Sequence, residues 1–186
     1  MFEELLSRLG SVLDGHAVPY MIIGGQAVLL YGEPRLTRDI DVTLGIDLGG
    51  IDTLLAVVRE LSLKPIPEDA RSFVSKTMVL PVLEEDTGIR VDFILSFTPY
   101  ESEAIKRARI LKFNEQEVRF ASPEDVIIHK IFAGRPRDLE DVGGIILKNP
   151  DIDRAYIRRW LEQFDLSSED TGGKRYTTIF EEILEQ

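Results

Sequence analysis

Tyr20-Met21-Ile22-Ile23-Gly24-Gly25 and, thirteen intervening residues later, Asp39-Ile40-Asp41-Val42-Thr43-Leu44 decide how this chain reads. Four apolar or aromatic residues running into two glycines predict a short buried strand ending in a tight turn, where backbone N–H groups without neighbouring Cβ atoms can approach a phosphate. Residues 26–31 supply one or two helical turns before Gly32 and Pro34 interrupt them. From 37 to 44 the residues alternate. Arg38, Ile40, Val42 and Leu44 take one side and Thr37, Asp39, Asp41 and Thr43 the other, as in a strand with one mostly apolar and one wholly polar face.

Working outward, residues 1–14 carry Phe2, Leu5, Leu6, Leu9 and Leu13 at helical spacing, and 52–61 repeat the pattern with Leu54, Leu55, Val57, Val58 and Leu61. Residues 74–83 and 89–95 read as two strands of a hairpin around Glu84-Glu85-Asp86-Thr87-Gly88. In the second of these, Ile89, Val91, Phe93 and Leu95 share one face, leaving Arg90 and Asp92 on the other. A short helix over 100–107 leads to strands at 110–113 and 117–120, joined across Asn114-Glu115. Ser122-Pro123-Glu124-Asp125 then starts a helix, with a Ser cap, Pro in the first turn and carboxylates at the positive helix end. Everything beyond reads as helical: a break at Gly134 and Pro136, a helix over 136–147, a third capped by Asp153, a polar loop over 166–174 and a last helix over 176–184. The expectation is an α+β chain, a mixed sheet flanked by helices over residues 1–121 with a helical C-terminal part over 122–186.

Lys and Arg number 22 against 33 Asp and Glu, a formal net charge of −11. Such acidity argues against a nonspecific nucleic-acid coat, which needs many Lys and Arg against phosphates, while leaving room for a local basic pocket. The densest basic group, Lys106, Arg107, Arg109 and Lys112, reads first as a solvated surface. With no Cys, disulfides, thiolate nucleophiles and Cys-held metal clusters are excluded. The longest apolar runs fall far short of the ~20 residues of a membrane span, and the acidic start at Glu3-Glu4 is unlike a secretion signal, so a cytoplasmic protein is expected. His16 and His129 have no Ser or Cys partner in a recognisable motif, and Gly173-Lys174 lacks the flanking residues of a phosphate loop.

The chemistry lies in the carboxylates. Asp39 and Asp41, two apart on a strand, project from one face with α-carbons about 7 Å apart. At about 4 Å two carboxylates repel by roughly 4 kcal/mol even at an effective dielectric of 20, so something positive must offset them. Mg2+, hard and oxygen-seeking, is one candidate; Arg35 or Arg38 in surface ion pairs is the other, with Arg90 doing the same for Asp92. If the strand of Asp92 pairs beside that of Asp39 and Asp41, three carboxylates converge in a set able to bridge two metal ions. Lys130 shares a helical stripe with Val126, Ile127 and Ala133 and so needs either an anion or a route to water. Asp138 and Asp141, three apart, lie on one helix face, where the helix dipole also favours acids.

The runs Ile22-Ile23-Gly24-Gly25, Thr37-Arg38-Asp39-Ile40-Asp41-Val42 and Val91-Asp92-Phe93 together resemble the signature of the DNA polymerase beta-like nucleotidyltransferase superfamily. Lys130 followed by Gly134-Arg135-Pro136-Arg137-Asp138-Leu139-Glu140-Asp141 is similar to the later motifs of its AbiEii-type members. The resemblance implies transfer of an NMP from an NTP to an acceptor hydroxyl, with release of pyrophosphate and two Mg2+ or Mn2+ ions. Asp39, Asp41 and Asp92 would be the catalytic and metal-binding residues. Gly24, Gly25, Thr37, Lys130, Arg137 and Asp138 would contact the nucleotide. The acceptor would be an RNA end, a protein or a small molecule, and a partner protein is implied by the toxin-antitoxin members. The alternative reading keeps the fold without the chemistry: a noncatalytic nucleotide-binding or toxin-antitoxin interaction protein.

Overall fold

In the computed structural model, residues 2–113, 115–167 and 175–185 are described. The elements run α1 (Phe2–Gly15), β1 (Tyr20–Ile23), α2 (Gly24–Tyr31), β2 (Asp39–Leu44), α3 (Ile51–Glu60), β3 (Lys64–Pro65), α4 (Ala70–Thr77), β4 (Val79–Glu84) and β5 (Ile89–Leu95). They continue with α5 (Pro99–Lys106), β6 (Arg109–Phe113), β7 (Gln116–Phe120), α6 (Pro123–Ala133), α7 (Pro136–Lys148), α8 (Arg154–Ser167) and α9 (Tyr176–Leu184). The chain divides into two units, one of Met1–Gln26 with Leu36–Ala121, the other of Ala27–Arg35 with Ser122–Gln186.

The first unit is built on a seven-stranded mixed sheet in the order β3-β4-β5-β2-β1-β7-β6. Its centre follows from burial. β5 hides Ile89, Val91, Phe93 and Leu95 on one face and pairs antiparallel with β4 and parallel with β2. β2 hides Ile40, Val42 and Leu44 on that same face and pairs antiparallel with β1, Ile23 opposite Asp41. Helix α1 buries Leu5, Leu9 and Leu13 at the expected spacing, and α3 buries Leu54, Val57 and Val58. A Cβ added at Gly10 of α1 would stand 2.8 Å from the Glu117 carbonyl oxygen and 3.1 Å from the Tyr20 hydroxyl, so α1 lies close to β7 because that position has no side chain.

The second unit is helical and its starts are chemically marked. The amide of Asp125 donates to Ser122 Oγ at 3.1 Å, while Ser122 Oγ donates to Asp125 Oδ2 at 2.6 Å. The phenol of Tyr156 donates to Asp125 Oδ1 at 2.8 Å, so both oxygens of this fully buried carboxylate are satisfied. Gly134, at φ +65° in the left-handed region, ends α6 and allows Pro136 to open α7. The amide of Tyr156 donates to Asp153 Oδ1 at 2.9 Å, the cap expected for α8.

Several expectations are corrected. Residues 74–77, read as the beginning of a strand, belong to α4. Asp69 caps that helix by accepting from the Ser72 amide at 2.9 Å, and Met78 ends it at φ +60°, so β4 starts only at Val79. The two-residue strand β3 pairs with β4 and was not expected. The helix after β1 begins at Gly24 itself, and β2 begins at Asp39 instead of residue 37. Leu166 and Ser167, expected in a loop, extend α8; the rest of that loop, residues 168–174 with Gly173-Lys174, and the turn residue Asn114 lie outside the described residues.

The close approach at Gly10 makes a direct prediction. Gly10→Ala should destabilise the protein by about 1–3 kcal/mol in urea unfolding, because the added methyl forces α1 away from β7. Gly15→Ala, with nothing within 4 Å of the point its new methyl would occupy, should change stability far less.

Candidate active site

The polar face of β2 carries Asp39 and Asp41, and the parallel pairing of β2 with β5 sets Asp41 across from Asp92 and Asp39 across from Arg90. The backbone thus places the three expected carboxylates on neighbouring strands and one face. Their side chains are not gathered to a point. Among the described residues no three His, Cys, Asp or Glu side chains are grouped closely enough to hold an ion. Instead Asp92 Oδ1 accepts from Arg90 Nε at 2.7 Å, and Asp39 Oδ1 accepts from Thr37 Oγ1 at 3.0 Å. Both donors are local, Arg90 two residues before Asp92 and Thr37 two residues before Asp39. Arg35, offered by the sequence as a partner for the Asp pair, lies 3.3 Å from Asp141 in the second unit.

The two glycines stand against this face. Gly24 has φ +64°, and a Cβ there would overlap Asp41 Oδ2 and sit 2.8 Å from Asp41 Cγ. A Cβ on Gly25 would overlap Thr37 Oγ1 and sit 2.8 Å from Thr37 Cβ. Only glycine leaves room for a carboxylate and a hydroxyl directly at the start of a helix, where backbone N–H groups and the helix dipole favour an anion. The fit to a divalent ion is chemical: an all-oxygen donor set, partly exposed, beside a glycine turn.

One contributor escaped the sequence reading. Gln26 is buried at 7% exposure, and its Nε2 donates to the Asp39 carbonyl at 3.4 Å, holding the start of β2 beside the glycine turn. The signal was present as a lone amide heading the apolar run Ala27-Val28-Leu29-Leu30.

Lys130 and Asp138 come together in the second unit. Lys130 Nζ lies 2.6 Å from Asp138 Oδ1 and 2.8 Å from Asp141 Oδ2, with Lys130 and Asp138 side chains 7% and 5% exposed. The anion demanded by a lysine on an apolar stripe is therefore supplied from within the chain. Arg135 Nε adds a bond to Asp138 Oδ2 at 2.5 Å, whereas Arg137 is exposed. Burial pushes the Asp138 pKa up, but the hydrogen bonds and charges of Lys130 and Arg135 outweigh it and hold the carboxyl below its ordinary value of 3.8.

Two outcomes follow. Gly24→Ala should cost more stability than Gly88→Ala in chemical denaturation, since both sit at positive φ, +64° and +71°, but only Gly24 faces a carboxylate. The native pKa of Asp138 is depressed, so its contribution is complete above the unfolded-state value near 3.8 and fades as pH falls through the lower native value. The stability difference between wild type and Asp138→Asn should accordingly be about 3 kcal/mol and flat from pH 5 to 7, and should shrink below pH 4.

Residues 8–184 match the family described as nucleotidyl transferase AbiEii toxin, type IV toxin-antitoxin system. No curated protein matches the chain in sequence. Among solved structures it is similar to the antibiotic-resistance factor ANT(2'')-Ia, at TM-score 0.57 and 18% identity over 99% of this chain and 97% of that one. It is also similar to an antigenic nucleotidyltransferase-like protein from Paracoccidioides brasiliensis, at TM-score 0.56 and 18% identity over 91% and 89% of the two chains. A putative nucleotidyltransferase from Thermotoga maritima aligns at TM-score 0.50 and 16% identity, covering 87% of this chain and 93% of its own. At such identities these likenesses concern the fold, a mixed sheet with flanking helices, as expected from the sequence. With the match spanning nearly its whole length, the chain belongs to the nucleotidyl transferase AbiEii toxin family and is a nucleotidyltransferase.

Proposed function

We propose that the face formed by β2 and β5 beside Gly24-Gly25 transfers an NMP from a metal-bound NTP to an acceptor hydroxyl, releasing pyrophosphate. The observation that carries this reading is the register of Asp41 opposite Asp92, with Gly24 too close to Asp41 for any side chain. Asp39 and Asp41, with Asp92, would hold Mg2+ or Mn2+. Bound there, the ions would neutralise charge on the phosphates and on the attacking and leaving oxygens.

The chain's own groups do the rest. Gly24 and Gly25 offer backbone N–H groups to the triphosphate at the head of α2, and Thr37 fixes the orientation of Asp39. The acceptor oxygen attacks the α-phosphorus, the bond from that phosphorus to the bridging oxygen breaks, and Asp92 takes the hydroxyl proton. Lys130 and Asp138, read as nucleotide contacts, are tied to each other within the second unit. The acceptor is a hydroxyl of an RNA end, a protein or a small molecule, and membership of a toxin family supports an antitoxin as partner.

Incubation with each α-labelled NTP, Mg2+ or Mn2+, and fractionated cellular RNA, protein and metabolites tests this. Label should enter one fraction, vanish with chelator, and fall about a hundredfold or more in Asp41→Asn, the scale of losing a main electrostatic element. Undiminished transfer by Asp41→Asn, or none to any fraction by wild type, would overturn the reading.

A further inference from the structure

Strands β1, β2, β4 and β5 together contain a single cationic residue, Arg90. It lies on the same face as Asp39, Asp41 and Asp92, opposite Asp39 and two residues before Asp92. The other positions that the register places beside them are Ile23 on β1 and Pro81 and Leu83 on β4, none of them charged. Arg90 Nε donates to Asp92 Oδ1 at 2.7 Å, joining a side chain 51% exposed to one 17% exposed. Its pKa is raised, first by the hydrogen bond to Asp92 and further by the charges of Asp92, Asp39 and Asp41, so the guanidinium feels all three acids.

The two ends of this ion pair are not equivalent. Asp92 is held within the sheet at 17% exposure, while the head of Arg90 reaches it on a long stem that is half in water. An ion pair with one exposed partner is weak, whereas a divalent ion among three carboxylates gains from each of them. Both compete for the same oxygen, Asp92 Oδ1. We infer that Arg90 is the resident counter-cation of the carboxylate face and leaves Asp92 when a divalent ion enters, making it a positioning residue whose ion pair opposes metal loading. The inference rests on the reading of Asp39, Asp41 and Asp92 as the metal-holding residues.

The test uses the whole chain. Mn2+ binding is measured from the EPR signal of the free ion for wild type, Arg90→Gln, Arg90→Lys and Asp41→Asn, and the Arg90 Nε–H resonance is followed in 15N-labelled protein as Mg2+ is added. Arg90→Gln should bind Mn2+ about fivefold more tightly than wild type, with Arg90→Lys between them. In an Asp92→Asn background the gain from Arg90→Gln should largely disappear. The Nε–H signal, identified by its loss in Arg90→Gln, should be protected from exchange in chelator and lose protection as Mg2+ saturates. Equal or weaker Mn2+ binding by Arg90→Gln, or an Nε–H still protected in saturating Mg2+, overturns the inference. Indistinguishable Mn2+ binding by wild type and Asp41→Asn instead overturns the metal assignment beneath it, so the two failures are told apart.

Discussion

The parallel pairing of β2 with β5 puts Asp41 across from Asp92, and the rest of the site adjusts to that adjacency. Paired strands lie about 5 Å apart, and at that distance two carboxylates repel by about 3 kcal/mol at an effective dielectric of 20. A sheet interior could relieve this by replacing the acids, and on the opposite face it does so with Ile40, Val42, Val91 and Phe93, all fully buried. Keeping charge on the polar face is tolerable because the side chains reach water and donors: Arg90 for Asp92, Thr37 for Asp39, and a glycine turn that leaves Asp41 space. A face that holds concentrated negative charge with loosely attached partners is suited to exchanging them for a harder, more highly charged ion.

The second unit treats the same problem in the opposite way. Lys130 is buried with two aspartates at 2.6 Å and 2.8 Å, and Arg135 and Arg35 bring further positive charge to Asp138 and Asp141. Taking either sign away leaves the other stranded in a low-dielectric setting, which makes this network demanding to alter and specific in geometry. Loose pairing on the sheet and tight pairing among the helices are two solutions for acidic side chains in a chain of net charge −11.

Much of this was legible in the sequence, for physical reasons. The alternation over 37–44 and 89–95 fixed which side chains share a face, and the glycines after Ile23 marked a turn, where Gly24 has a positive φ and stands against Asp41. The start of α6 was readable because its cap is local, Ser122 to Asp125. The misreading of residues 74–77 came from weighing apolar content above capping: Asp69 three residues before Ser72 was the stronger signal. What local pattern cannot carry is a partner far along the chain. Asp141 drawing in Arg35, and the acids that satisfy Lys130, depend on tertiary placement. Arg90 was visible as a neighbour of Asp92, but its standing as the sole cation of four strands emerges only from the sheet order.

The central claim is that the carboxylates of β2 and β5 form one divalent-ion site. Paramagnetic broadening by substoichiometric Mn2+ in the NMR spectrum of the wild-type protein tests it most directly. The account predicts that the amides of Gly24, Asp41 and Asp92 broaden first and together, while those of Phe113 and Gln116, at the β7-β6 edge of the sheet, broaden least. Broadening centred elsewhere, or spread evenly over the acidic surface, would contradict it.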